Sequence, residues 1–112
     1  MIGGALREPT FLILTALAAC PQHGYGILRD VEEISDGRVR LRAGTLYTAL
    51  DRMSADGWVT VDREEVVDGR LRRYYRLTDN GAARLEEEVQ RMRAHTRAAE
   101  LRLRARPQGG TA

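Results

Sequence analysis

The spacing of apolar residues changes several times along the chain, and each change predicts an element. Residues 9–19 are apolar on most sides: Phe11, Leu14 and Leu17 share a stripe, and Leu12, Ile13 and Ala16 fill the neighbouring faces. Pro9 suits the first turn of such a helix. A helix with so little polar surface must be covered nearly all round. A chain of 112 residues has little to cover it with, so this helix is the first sign of a partner chain. Cys20-Pro21-Gln22-His23-Gly24 reads as a short connection. Ile27, Val31 and Ile34 then recur at helical spacing, with Leu28 beside them and Arg29, Asp30, Glu32 and Glu33 opposite. That predicts a second helix over residues 24–35, ended by the turn residues Ser35-Asp36-Gly37.

The period drops to two at Arg38-Val39-Arg40-Leu41-Arg42, a pattern that predicts a short half-buried strand. A third helix follows over residues 43–55, with Leu46, Leu50 and Met53 as its core stripe. Its opposite face carries Gly44, Thr48, Asp51, Arg52 and Ala55, with Thr45 and Tyr47 at the edges. A face this small and polar suits a helix lying in the DNA major groove. Asp51 fits there poorly, because it repels phosphate unless Arg52 or another arginine pairs with it. Asp56-Gly57 closes the helix. Two alternating stretches, residues 58–66 and 71–77, then flank Asp68-Gly69, a strong hairpin signal. In the second strand Leu71, Arg73, Tyr75 and Leu77 share one face, and Arg70, Arg72, Tyr74 and Arg76 the other.

Thr78 is a natural N-cap for a last helix. Within it Ala82, Leu85, Val89, Met92, Thr96, Ala99 and Leu103 follow steps of three and four, a heptad seam. At 1.5 Å per residue, a helix over 79–104 is about 39 Å long. It must project from a domain whose radius is about 13 Å. A projecting apolar seam pairs with something, most economically a second copy of the same chain. The predicted fold is mainly α with a small β-hairpin: a winged helix-turn-helix over residues 1–78, a dimerisation helix over 79–105, and a flexible tail over 106–112.

Charge changes this picture only when it is divided along the chain. All eighteen basic residues are Arg, and sixteen acids leave a net charge of only +2. Residues 1–37 nonetheless balance at −3, residues 38–84 at +3 and residues 85–112 at +2. Arginine is well suited to bidentate phosphate and guanine contacts. Arg42 stands before the third helix to hold a phosphate at its N-terminus, while Arg70, Arg72 and Arg76, with Tyr74, form a basic outer face on the hairpin. A winged helix also serves as a protein interaction module, and the fold alone does not choose between the two. The longest apolar run is too short to cross a bilayer, no signal-peptide pattern opens the chain, and a cytoplasmic location is expected. Two His and one Cys lack ligand-like spacing, so no metal and no cofactor are expected. No Ser/His/acid set or Gly-rich phosphate loop supports an enzyme.

Several residues also have plain structural readings. Tyr75 belongs to the core with Leu71 and Leu77, Trp58 packs where the third helix meets the hairpin, and Tyr74 stands between packing and contact. Cys20, among Ala18, Ala19 and Pro21, reads as a small buried hydrophobe. His23 caps or packs in its turn, and His95 and the Glu86-Glu87-Glu88 run read as solvated helix surface.

His23-Gly24-Tyr25-Gly26-Ile27, Ala43-Gly44-Thr45-Leu46-Tyr47-Thr48-Ala49-Leu50-Asp51-Arg52-Met53, Asp56-Gly57, and Arg73-Tyr74-Tyr75-Arg76-Leu77-Thr78 with Gly81 together resemble the PadR family of transcriptional regulators. The length and single last helix resemble its small subfamily. The resemblance implies a homodimeric repressor that binds an inverted-repeat operator in double-stranded DNA beside the gene it controls, and is released by a small-molecule effector. It implies DNA contacts by Thr45, Tyr47 and Thr48 on the recognition helix, to which the polar face of that helix adds Arg52, by Arg70 and Arg72 on the wing, and by Tyr25, which packs against the third helix in the alternative reading. It implies a dimer interface from the first and last helices, carried by Phe11, Leu14, Leu85, Val89, Met92, Thr96 and Ala99. Some members sandwich a flat ligand with an aromatic residue of the last helix. Here that stretch offers Met92 and His95, which speaks for a small lipophilic effector over a planar aromatic one.

Overall fold

A computed structural model describes residues 4–108. Its centre is helix α1 (Glu8–Ala19), which has Pro9 in its first turn. Leu12, Ile13, Leu14, Ala16 and Leu17 are all buried. They are covered by helix α2 (Gly24–Ile34), by strand β3 (Arg70–Leu77) and by helix α4 (Asp79–Ala105). The apolar surface of α1 is therefore covered by its own chain, and it does not by itself require a partner. Leu14, expected at a dimer interface, is 0% exposed within the protomer and presents no surface to a second copy.

Helix α3 (Ala43–Ala55) has the predicted ends and buries Leu46, Leu50 and Met53 against the same core. Strand β2 (Val59–Val67) pairs antiparallel with β3. The connection turns at Asp68 (φ 52°) and Gly69 (φ 75°), two left-handed residues in succession, as a two-residue hairpin turn requires. Tyr75 is buried and Trp58 half-buried, both packed in the core as predicted.

Residues 38–42 form no strand. The third strand of the sheet is instead β1 (Gln22–His23), which pairs with Tyr75 and Tyr74 and takes the open edge of β3. The β3 edge is thus held by Gln22–His23, and residues 38–42 run outside the sheet. The alternation survives in burial alone: Val39 and Leu41 are half-buried, and Arg38, Arg40 and Arg42 are exposed. The Val39 amide donates to Ser35 Oγ (3.0 Å) in place of a strand partner.

The hairpin's predicted apolar face is also incomplete. A bulge at Asp62, between Val61 and Arg63, interrupts the register, and the distal half of the wing runs past the core. Leu71 and its cross-strand partner Val66 are 62% and 70% exposed. Cys20, expected inside, is exposed just beyond the end of α1.

Helix α4 begins at a Thr78 cap, whose Oγ1 accepts from the Gly81 amide (3.0 Å). Its 27 residues span about 40 Å. Leu85 and Val89 are half-buried, whereas Met92, Thr96, Ala99, Leu101 and Leu103 are exposed. The molecule is accordingly long, with principal extents of 65 × 33 × 21 Å. Glu88 departs from the expected solvated run: it is 3% exposed. Its carboxylate accepts from Arg91 and lies 3.9 Å from Arg84. Of the predicted tail, residues 109–112 lie outside the described residues.

Candidate nucleic-acid interface

The site is built on α3. Packing Leu46, Leu50 and Met53 inward turns Gly44, Thr45, Thr48, Asp51, Arg52 and Ala55 to solvent. Arg42 occupies the N-cap position with an extended backbone and makes no side-chain cap, so its guanidinium stays beside the start of the helix. Asp51 forms no ion pair with Arg52 or any other arginine among the described residues.

Tyr47 and Tyr25 stand at one end of this face. The Tyr47 hydroxyl lies against Gly24, the first residue of α2, where any Cβ would collide with it. Gly24 thus permits the close approach that seats α3 on α2. Tyr25 is 66% exposed, and the Arg29 guanidinium lies 5.9 Å from its ring centroid. Tyr25 is therefore not packed away against α3.

His23 joins α2 to the wing. Its Nδ1 accepts from the Gly26 amide (3.2 Å) and caps α2. Its ring meets Tyr74 edge-on at 5.3 Å. Partial burial, assisted by the nearby Arg72 charge and opposed by Glu65, holds the imidazole below its usual pKa. The neutral ring that results keeps Nδ1 free to accept.

The wing carries mixed charge. Arg63, Arg73 and Arg76 pair with Asp62, Glu64 and Glu65, and the Arg76 side chain, 3.7 Å from Asp62, stays 51% exposed. Tyr74 donates to Glu65 Oε1 (2.8 Å) and lies under the Arg63 guanidinium at 3.8 Å. With His23 at its edge, Tyr74 is a pillar of the wing. Arg70 and Arg72 have no acidic partner among the described residues. They face Tyr25 and Tyr47 across a cleft of about 590 Å³ that His23 and Leu71 also line.

A second cleft, of about 660 Å³, lies on the other side of α3. Arg42, Thr45, Thr48 and Arg52 line it together with Arg7 and Thr10. Arg7 and Thr10 were missed in the sequence, where no periodicity marks them. The only signal was an arginine placed just ahead of a proline-opened helix.

The interface expected for dimerisation lies elsewhere. Phe11 meets Val89, Met92 and Thr96 along an open groove of about 460 Å³ between α1 and α4. Leu85 packs on the protomer's own core, and Ala99 lies further out on the exposed helix. Met92 and His95, expected to share an effector pocket, are not brought together. Met92 lines the groove, while His95 turns to the flank beside Arg91, with Nδ1 3.4 Å from its guanidinium.

Among the described residues no cluster of three His, Cys, Asp or Glu side chains is placed to hold a metal ion, and no helix is long and apolar enough to cross a membrane. Residues 13–87 match the family described as "Transcriptional regulator PadR-like family". The transcriptional regulator Rv3488 of Mycobacterium tuberculosis is 47% identical over 57 residues, 51% of this chain and 52% of that protein, so the match spans about half of that relative. A PadR family transcription regulator from hypervirulent Clostridium difficile superposes with a TM-score of 0.71 at 26% identity, over 87% of this chain and 99% of that one. Bacillus subtilis PadR, solved in complex with operator DNA, has the same fold, with a TM-score of 0.66 at 23% identity over 74% of this chain and 47% of that one.

Proposed function

This chain belongs to the transcriptional regulator PadR-like family, and on that premise we propose that it binds double-stranded DNA sequence-specifically as a homodimer and represses a neighbouring gene. The observation that carries the reading is the exposed face of α3, small and polar, flanked by the unpaired arginines Arg42, Arg70 and Arg72. In this reading α3 enters the major groove, where Thr45, Thr48 and Arg52 meet base edges. Arg42, Arg70 and Arg72 hold phosphates and fix the register. Tyr25 and Tyr47 contact the backbone at the α2 end of the helix, and Tyr74 braces the wing.

Residues 4–78 form the DNA-binding unit and α4 the dimerisation helix. Two copies pair through Phe11, Val89, Met92, Thr96 and Ala99, which brings two α3 helices to one inverted-repeat operator. Such an assembly works in the cytoplasm on DNA and has no catalytic step. A small lipophilic effector bound along the Met92 groove releases the DNA by moving one copy against the other. The operator complex of the related Bacillus subtilis protein supports the DNA reading.

The test is a mobility-shift assay with duplexes from the DNA beside the chain's own gene. Nanomolar-range binding to one palindrome is expected, with log affinity falling by about 0.9 per neutralised phosphate for each tenfold rise in salt. A correctly folded dimer that shifts no duplex at low salt overturns the reading in favour of a winged helix that docks protein.

A further inference from the structure

Three arginines far apart in the sequence line the cleft between α1 and α3: Arg7, Arg42 and Arg52. No carboxylate lines it with them. None of the three is paired with an acid among the described residues. Among the described residues Arg40, Arg63, Arg73, Arg76, Arg84 and Arg91 find carboxylates and the other twelve arginines do not; these three stand apart because they line one concavity. The remaining polar lining is the side chains of Thr10, Thr45 and Thr48, which are hydrogen-bond donors.

Three like charges held around one concavity repel one another until an anion enters. We propose that the cleft is a backbone-phosphate clamp closed by Arg7, and that α1 is therefore part of the DNA interface. The occupant is a phosphodiester of the duplex that α3 reads. The cleft is open along its length and continuous with the exposed α3 face, since Thr45, Thr48 and Arg52 belong to both. It is a wall for a strand to run along and not an enclosure for a small anion. Guanidinium forks grip phosphate oxygens bidentately, and threonine hydroxyls supply further donors.

Arg7 does not reach this place on a loose arm. Just before it, the Gly4 carbonyl accepts from Arg84 of α4. The dimerisation helix therefore anchors the segment that delivers Arg7 to the cleft.

The proposal rests on the DNA reading above, and the experiment separates the two. Wild type, Arg7→Ala and Arg72→Ala are titrated against a fluorescent operator duplex and an unrelated duplex at several salt concentrations. Thermal melting is followed in parallel. Arg7→Ala is expected to bind both duplexes roughly tenfold more weakly and to flatten the salt slope by about 0.9, as Arg72→Ala does on the wing, with an unchanged melting temperature. Arg7→Lys should keep the slope. A wild type that binds the operator beside an Arg7→Ala variant with unaltered affinity and slope overturns the clamp alone. Affinity lost without a change in slope also overturns it, because the lost contact is then not to phosphate. A wild type that binds neither duplex overturns the DNA reading and the clamp with it.

Discussion

Helix α1 and the outer half of α4 carry the same signal in the sequence, an apolar surface with nothing evident to cover it, and the fold treats them in opposite ways. Helix α1 has twelve residues, about 18 Å of helix, and fits inside the domain. There α2, β3 and α4 close over it, and five of its side chains are buried. Helix α4 has 27 residues and packs on the domain only through its first three turns. Beyond Met92 it extends alone, with Leu101 and Leu103 exposed. Apolar composition tells that a surface must be covered. Length against domain size tells whether the chain itself can cover it. In the proposed dimer a second copy covers α4, and α1 contributes little beyond Phe11.

The sharpest way to break this contrast is a charge in the seam. Val89→Asp would place two uncompensated carboxylates in one dimer interface, and burying a charge without a partner costs several kcal/mol. The dimer dissociation constant is expected to rise by roughly a hundredfold or more, while the monomer stays folded, because Val89 is only half-buried in its own chain. Light scattering across a dilution series with circular dichroism in parallel measures both. A dimer as stable as wild type would mean the seam faces solvent. Leu85 is a poorer probe, since it also packs on the protomer core.

The converse change is Leu14→Ala. It leaves a cavity in a site closed by its own chain, and a loss of about 2–5 kcal/mol of folding stability is expected. The dissociation constant of the folded dimer should not move. Urea unfolding gives the first quantity and sedimentation the second. If the dimer weakened with little loss of folding stability, α1 would have to be an interface helix after all.

Much of this architecture was readable in the residues. The ends of α3 are plain because Leu46, Leu50 and Met53 keep helical spacing up to the Asp56-Gly57 stop. The wing is plain because Asp68-Gly69 tolerates the left-handed turn. The elements that were not readable depend on tertiary company. Gln22–His23 is too short to show any period and becomes a strand only because β3 has an edge to offer. Residues 38–42 show the right period and yet stay outside the sheet, whose β3 edge Gln22–His23 hold. Val66 and Leu71 look like core until the bulge and the length of the hairpin carry them past it. Within the candidate site, the face of α3 and the shared side of Arg70 and Arg72 on β3 follow from helical spacing and alternation, whereas their lack of an acidic partner does not, since Arg72 stands opposite Glu65. The position of Arg7 does not follow either, because only the tertiary fold brings it to the cleft that Arg42 and Arg52 line. The separation of Met92 from His95 was legible in principle: the seam passes from Met92 to Thr96, and His95, one residue before Thr96, is turned about 100° from it on the helix.

Glu88 marks the point where the two treatments of apolar surface meet, and it gives the smallest and most specific test. Arg84 and Arg91, one turn to either side, supply its partners, and Arg84 also donates to the Gly4 carbonyl ahead of α1. The hydrogen bonds from Arg91 hold the carboxyl below its usual value, helped by the Leu6 backbone and the charges of Arg91 and Arg84, and opposed by burial. A carboxyl whose folded pKa is depressed stabilises the fold fully above its unfolded value, near 4.5, and loses that contribution as pH falls through the folded one. Glu88→Gln should therefore melt below wild type at pH 7, and the gap should close as pH is taken from about 5 to below 4, where wild type becomes neutral as well. Melting curves across that range check the sign. A gap that stays constant with pH would mean that shape, and not the charge facing Arg91, holds the start of α1 against α4.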